Sequence, residues 1–215
     1  MTAEPLLKHS EKLSMTRHDA KLQQITDTAT SLFVQKGYNE TTVDEIAKDL
    51  KISKGSIYTY IKSKQDIVFQ ILIHVENTWK AKFDQVEESF AGMTAVDSLK
   101  AAIKAYISTV DQRQNEYILL NHIVVSLDNK GRKQLLGSVR QVAGKFEKII
   151  SRGLESGEFC NPQKETIGFI VTRLCSDWAN NRWFLRRYMD LNSYTDFVSE
   201  MAIRMLRPNK VDTLP

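Results

Sequence analysis

Between Pro5 and Pro162 the chain contains no proline. A stretch that long fits a helical protein and disfavours a turn-rich β sandwich, because proline breaks helices and punctuates turns. The apolar spacing agrees. Leu22, Ile25, Ala29, Leu32 and Phe33 fall on one face of a helix, which Lys36 and Gly37 close. Thr42 followed by Glu45 three residues on is a capping box. It opens a helix with Val43, Ile46, Ala47 and Leu50 on one face. Lys51-Ile52-Ser53 interrupts, and Ser53 can cap a second short helix, about Lys54 to Tyr60, anchored by Ile57 and Ile61. Ser63 with Asp66 marks a further start. The period then predicts a long helix ending near Gly92, a helix capped by Thr94, and a segment near 115–127 buried on all sides. A helix from about Lys130 to Glu155 follows, then one with Pro162 in its first turn. A last helix carries the stripe Tyr194, Phe197, Val198, Met201, Ala202 and Met205, and Pro208 ends it. The fold expected is all-α, with roughly nine helices.

Composition narrows the function. Hydrophobic residues at 42% and charged residues at 26% are globular values and exclude a disordered chain or a fibre. No run approaches the roughly 20 apolar residues of a membrane helix. Leu6 and Leu7 are followed at once by Lys8, His9 and Ser10, so the N-terminus lacks the core of a signal peptide. Cys160 and Cys175 read as reduced thiols. A cytoplasmic protein with no membrane association is expected. The four histidines show no zinc spacing, and no phosphate loop or Gly-x-Ser-x-Gly elbow occurs. No enzyme activity, metal or cofactor is expected.

Two short helices across a turn of about three residues form a helix-turn-helix pattern, whose second helix can enter the DNA major groove. Around its anchor Ile57 the second helix is polar or amphipathic: Ser53, Lys54, Ser56, Tyr58, Thr59, Tyr60. From Lys51 to Gln65 there are four lysines and no acid, whereas the whole chain is only +4. Such a patch suits phosphates. The same geometry also occurs in proteins that never touch DNA.

The run Ile25…Ala29…Leu32-Phe33…Gly37-Tyr38…Thr41-Thr42-Val43…Ile46-Ala47…Ile52-Ser53-Lys54-Gly55-Ser56-Ile57-Tyr58-Thr59-Tyr60-Ile61-Lys62-Ser63-Lys64…Ile67 resembles the DNA-binding domain of TetR-family transcriptional regulators. The resemblance implies a three-helix DNA-binding domain over 17–63, after an arm at 1–16. A helical ligand-binding and dimerisation domain over 64–208 and a tail at 209–215 would follow. It implies a homodimer on double-stranded DNA, at a palindromic operator, released when a small molecule binds the C-terminal domain. Thr42 would cap its helix and bond phosphate. Lys54, Ser56 and Thr59 would lie nearest base edges, with Ser53 capping the same helix. Tyr58 and Tyr60 would pack on sugar and phosphate, Lys64 would contact phosphate, and Gly55 would permit close approach. The family often has glycine where Lys51 stands and phenylalanine where Ile61 stands. A lysine at positive φ costs about 1 kcal/mol, which points to a differently built turn. In the arm, Lys8, Lys12 and Arg17 would solvate the tail or reach a minor groove.

For the ligand, His122 reads as a core histidine or a polar pocket contact, and Trp178 as core or dimer packing or a pocket residue. Arg182, with Arg186 and Arg187, would bind an anionic ligand such as an acyl-CoA, or else pair with acids or stay in solvent. A mostly apolar cavity within 65–190 is expected. The stripe Tyr194, Phe197, Val198, Met201 and Met205 would form the dimer interface with the preceding helix. The alternative is a helix-turn-helix protein controlled by a protein partner, with no small-molecule ligand.

Overall fold

The computed structural model describes residues 17–207. Lys8, Lys12, Pro208 and the tail lie outside the described residues. The described residues form nine α-helices and two short 3-10 stretches, with no strand. The helices are α1 (Arg17–Lys36), α2 (Val43–Asp49), α3 (Lys54–Tyr58), α4 (Lys64–Glu87), α5 (Ala95–Gln112), α6 (Gln114–Ile123), α7 (Asn129–Glu155), α8 (Lys164–Leu185) and α9 (Leu191–Leu206). The chain divides into two compact units between Val68 and Phe69, so the division falls inside α4.

In the first unit, Ile25 and Phe33 of α1 meet Ile46 of α2 and Ile57 of α3 in one core, each 2% exposed or less. Burying each such side chain stabilises by about 1.5–3 kcal/mol. The capping box of α2 is complete. The Thr42 backbone N–H donates to Glu45 Oε2 (2.8 Å), and the Glu45 N–H donates to Thr42 Oγ1 (3.2 Å). The Thr42 N–H, with Lys36 at 3.0 Å, pulls the Glu45 carboxyl down to about 2.

After α2 the Lys51 N–H donates to the Lys48 carbonyl (3.1 Å) and the Ile52 N–H to the Ala47 carbonyl (3.0 Å). That pair of bonds is the Schellman arrangement, which needs a left-handed residue between them. Lys51 takes it, at φ +54°, and is the only non-glycine at positive φ among the described residues. The turn is therefore not built differently to spare a lysine: the two closing bonds hold Lys51 in the costly conformation. The helix that follows is shorter than the period predicted. It ends at Tyr58, and the Tyr60 N–H already makes a tight 3-10 bond to the Ile57 carbonyl (2.9 Å).

In the second unit α5 touches α6, α7, α8 and α9. It can do so because Ser98, Ala105 and Thr109 are buried beside the stripe Leu99, Ala102, Ile103, Ile107 and Val110, which together wrap more than half of the helix. Three boundaries differ from expectation. The long helix stops being α-helical at Glu87 and reaches Gly92 as a 3-10 stretch. The segment near 115–127 is not buried all round: α6 tightens into a 3-10 turn at Val124–Ser126, which rotates Val125 outward to 77% exposure. Pro162 lies ahead of α8, its carbonyl accepting from the Lys164 N–H (2.8 Å). α7 ends where Phe159 folds back over Gly153. A Cβ on Gly153 would sit 2.1 Å from that ring, so only glycine lets Phe159 bury.

Candidate DNA-reading face and effector cavity

On α3 and its C-cap the exposed residues are Lys54, Gly55, Tyr58 and Thr59, which stand at i, i+1, i+4 and i+5 and so share one side. Ile57 points the other way and is fully buried. Ser53 caps the helix by accepting from the Ser56 N–H (3.1 Å), and the two hydroxyls lie 2.8 Å apart, so Ser53 and Ser56 stiffen its first turn. Thr59 Oγ1 donates to the Ser56 carbonyl (2.7 Å). A Cβ on Gly55 would meet nothing closer than Ser53 Oγ at 3.8 Å. Nothing inside the unit requires glycine there, and the space it frees is outward. Tyr60 is half-buried, with its ring 4.9 Å from that of His18, and Thr42 is exposed at the start of α2.

The charge of this face is less open than the sequence suggests. Lys54 Nζ lies 2.7 Å from Asp44 Oδ2, and that carboxylate raises the lysine's pKa. Asp66 Oδ2 accepts from the N–H groups of Lys62 and Ser63 (2.8 and 2.9 Å). Lys64 is a correction. Its ammonium donates to the carbonyls of Tyr38 (2.6 Å) and Thr41 (3.0 Å), approaches that of Asn39 (3.4 Å), and sits 4.2 Å over the Tyr38 ring. Partial burial lowers its pKa, while Glu40 opposes that. A lysine has three N–H donors, and these are committed inward, so Lys64 fastens the start of α4 to the α1–α2 loop instead of reaching a phosphate.

The second unit contains a cavity of about 680 Å³, within the range of small-molecule sites. Its apolar wall includes the buried Leu72, Val75, Trp79, Leu120, Leu135 and Val142, from α4, α6 and α7. Lys80, Lys145, Lys148 and Arg173 also line it, with Glu76 as the one acid.

None of the three expected ligand residues is part of this wall. His122 is exposed: Leu119, Leu120 and Ile123 turn inward, which leaves His122 on the outer side of α6. Trp178 is core. It is 1% exposed, its indole N–H donates to Asp111 Oδ1 (2.8 Å), and its ring stacks 5.1 Å from Tyr194. Arg182 pairs with Asp111 (3.3 Å) and bonds Gln114, so its charge is spent inside the fold. Their neighbours Asn121 and Arg173, which sequence reasoning passed over, do line the cavity and bond each other (3.2 Å).

The α9 stripe divides. Tyr194 and Val198 are buried within their own chain, with Tyr194 Oη donating to the Leu174 carbonyl (2.6 Å), so neither is available to a partner. Phe197 (51%) and Met201 (39%) are exposed, and Met205 is partly so. On α8, Phe169 (48%) and Phe184 (44%) are exposed as well.

Residues 25–71 match the family described as bacterial regulatory proteins, tetR family. Residues 92–206 match the tetracyclin repressor-like C-terminal domain. The HTH-type transcriptional regulator HbdR of Aromatoleum sp. (strain CIB) is 28% identical over 192 residues, covering 88% of this chain and 81% of its own. A bacterial regulatory protein in the tetR family from Rhodococcus RHA1 has the same fold, with TM-score 0.79 at 24% identity over 89% of this chain and 98% of that one. So does the regulator FadR from Bacillus subtilis, solved in complex with stearoyl-CoA, with TM-score 0.69 at 20% identity over 86% and 99% of the two chains.

Proposed function

The chain belongs to the TetR family of bacterial regulatory proteins, and we propose that it works as a homodimeric repressor that leaves a palindromic operator when a small amphipathic molecule fills its cavity. It is a helix-turn-helix transcriptional regulator and not an enzyme. The observation that carries the finer reading is the α3 face, an exposed row of Lys54, Gly55, Tyr58 and Thr59 on a helix pinned from behind by Ile57. Lys54 and Thr59 would read base edges, and Tyr58 would pack on the sugar. Ser53 and Ser56 hold the helix start in place. Phosphates would meet Thr42, Tyr60 and the N-terminal end of α4.

Two copies would pair through the exposed apolar side chains of α8 and α9, Phe169, Phe184, Phe197 and Met201, as a four-helix bundle. Their α3 helices would enter successive major grooves, with half-site centres about 34–36 Å apart. α4 supplies Leu72, Val75 and Trp79 to the cavity and begins at the DNA-reading unit, so an occupant that shifts α4 would lower the DNA-competent population. The stearoyl-CoA held by the FadR structure supports an acyl-CoA or similar apolar anion as effector.

The test is selection from a randomised duplex pool followed by gel shift. A palindrome should emerge, and Thr59→Ala should change the preferred bases by about 1–3 kcal/mol per lost contact. A pool yielding no palindrome refutes the assignment.

A further inference from the structure

The cavity wall holds two buried hydrogen-bond donors that no group among the described residues accepts: Trp79 Nε1 and Asn121 Nδ2. Buried polar groups are almost always paired, so two orphans in one wall call for an acceptor. The indole has little freedom to find another partner. Trp79 is 6% exposed, with the ring of Phe83 at 5.1 Å and that of Tyr106 edge-on at 5.8 Å.

The orientation of the Asn121 amide is also set. Arg173 Nη1 lies 3.2 Å from Asn121 Oδ1, and a guanidinium can only donate. The amide oxygen must therefore face Arg173, which leaves the NH2 group on the other side. Elsewhere in the wall Thr172 Oγ1 donates to the Gly168 carbonyl (2.9 Å) and Ser176 Oγ to the Thr172 carbonyl (2.8 Å). Those two hydroxyls therefore offer only lone pairs, and Glu76, Asn77 and Gln141 add further acceptors, so Trp79 Nε1 and Asn121 Nδ2 are unpaired donors within a mixed polar lining.

Charge points the same way. Of the lining cations, Lys145 is bridged to Glu87 (3.0 Å) and Asp84 (3.8 Å), while Lys80 and Lys148 have no ion-pair partner among the described residues. With Arg173 they make a positive, solvent-exposed margin to a wall whose buried part is mainly apolar.

Building on the effector reading above, we propose that the occupant is an amphipathic anion with a carbonyl between its apolar body and its charged head, and that Trp79 and Asn121 are the residues that read the carbonyl. The body lies against Leu72, Leu120, Leu135 and Val142, and the head faces Lys80, Lys148 and Arg173. A cationic amphiphile is disfavoured by the like charge of Lys80, Lys148 and Arg173 at the margin.

The test compares two probes that differ at one atom: decanoyl-coenzyme A, a thioester, and S-decyl-coenzyme A, the thioether without the carbonyl oxygen. Calorimetry on the full chain should show the thioester binding about tenfold tighter, because the thioether leaves the two donors unpaired. Trp79→Phe keeps an aromatic ring in place and removes the N–H together with part of the indole's volume, and Asn121→Leu removes the amide. Each should shrink the preference severalfold, while Lys148→Gln should weaken both probes alike. Retention of the wild-type melting profile checks each variant's fold, and Asn121→Leu serves if Trp79→Phe loses it. Equal binding of the two probes by the wild type, a preference unchanged in both variants, or binding of neither probe overturns the proposal. Duplex release is measured alongside. A thioester preferred in this way that leaves the duplex bound refutes the effector reading and leaves this assignment standing. Release by some other compound, with neither probe bound, does the reverse.

Discussion

Replacing Lys51 by glycine isolates a cost that no contact list records. An L-residue in the left-handed region costs roughly 1–2 kcal/mol, and Lys51 sits there at φ +54°. Glycine removes that cost but gives back about 0.5–1 kcal/mol through the freedom it gains in the unfolded chain. The net expectation is a first unit more stable by about 0.5–1 kcal/mol. Lys51→Ala is the control, since it deletes the same exposed charge and keeps the Cβ, so the strain stays. Tryptophan fluorescence cannot follow the change, because Trp79, Trp178 and Trp183 all belong to the second unit. Amide exchange of peptides spanning α2 and α3 can. Lys51→Gly should slow exchange about two- to fivefold relative to Lys51→Ala. Equal rates in the two variants would refute the claim that strain is stored at this position.

Four other outcomes are expected. Asp44→Asn releases Lys54 from its 2.7 Å partner, so DNA affinity should rise and its salt dependence steepen, read by filter binding across a salt series. Glu45 has its carboxyl lowered from 4.5 to about 2, so its contribution is complete above pH 4.5 and drains away as pH falls toward 2; Glu45→Gln, which preserves the capping box, should flatten that acid limb in a circular-dichroism titration. Gly153→Ala drives a Cβ to 2.1 Å from Phe159 and should cost about 1–3 kcal/mol in urea melts followed by tryptophan emission. Lys64→Met should destabilise the first unit by amide exchange and leave the salt slope of DNA binding unchanged; a flattened slope would return Lys64 to the phosphates.

What was legible was local. The capping box at Thr42 and Glu45, the stop at Gly37 and the anchor Ile57 each follow from residues within a few positions of one another, and each stands where the pattern puts it. The burial of His122 was misread because α6 is apolar at many positions. The 100° step nonetheless sets His122 well away from the direction shared by Leu119, Leu120 and Ile123. The α9 stripe was read as one interface, yet it is wide enough to serve two neighbours: Tyr194 and Val198 pack inward, and Phe197 and Met201 face out. Pairings between distant residues had no signal at all. Nothing in the sequence joins Asp44 to Lys54, or leaves the Trp79 N–H without an acceptor, because both depend on how separate helices meet.

The Lys64 ammonium, held by main-chain carbonyls and the face of Tyr38, is in effect a coordinated cation on a covalent leash. A free ion in such a nest would exchange with the buffer and respond to its composition. A leashed one cannot be diluted away, and its partly buried setting feels less screening than a fully exposed charge does. If the α3 face meets DNA as proposed, salt would weaken its encounter with the charged duplex while the loop that carries Thr41 and Thr42 to the start of α2 keeps its form. The shape offered to DNA would then be set independently of the ionic strength that governs how often DNA accepts it.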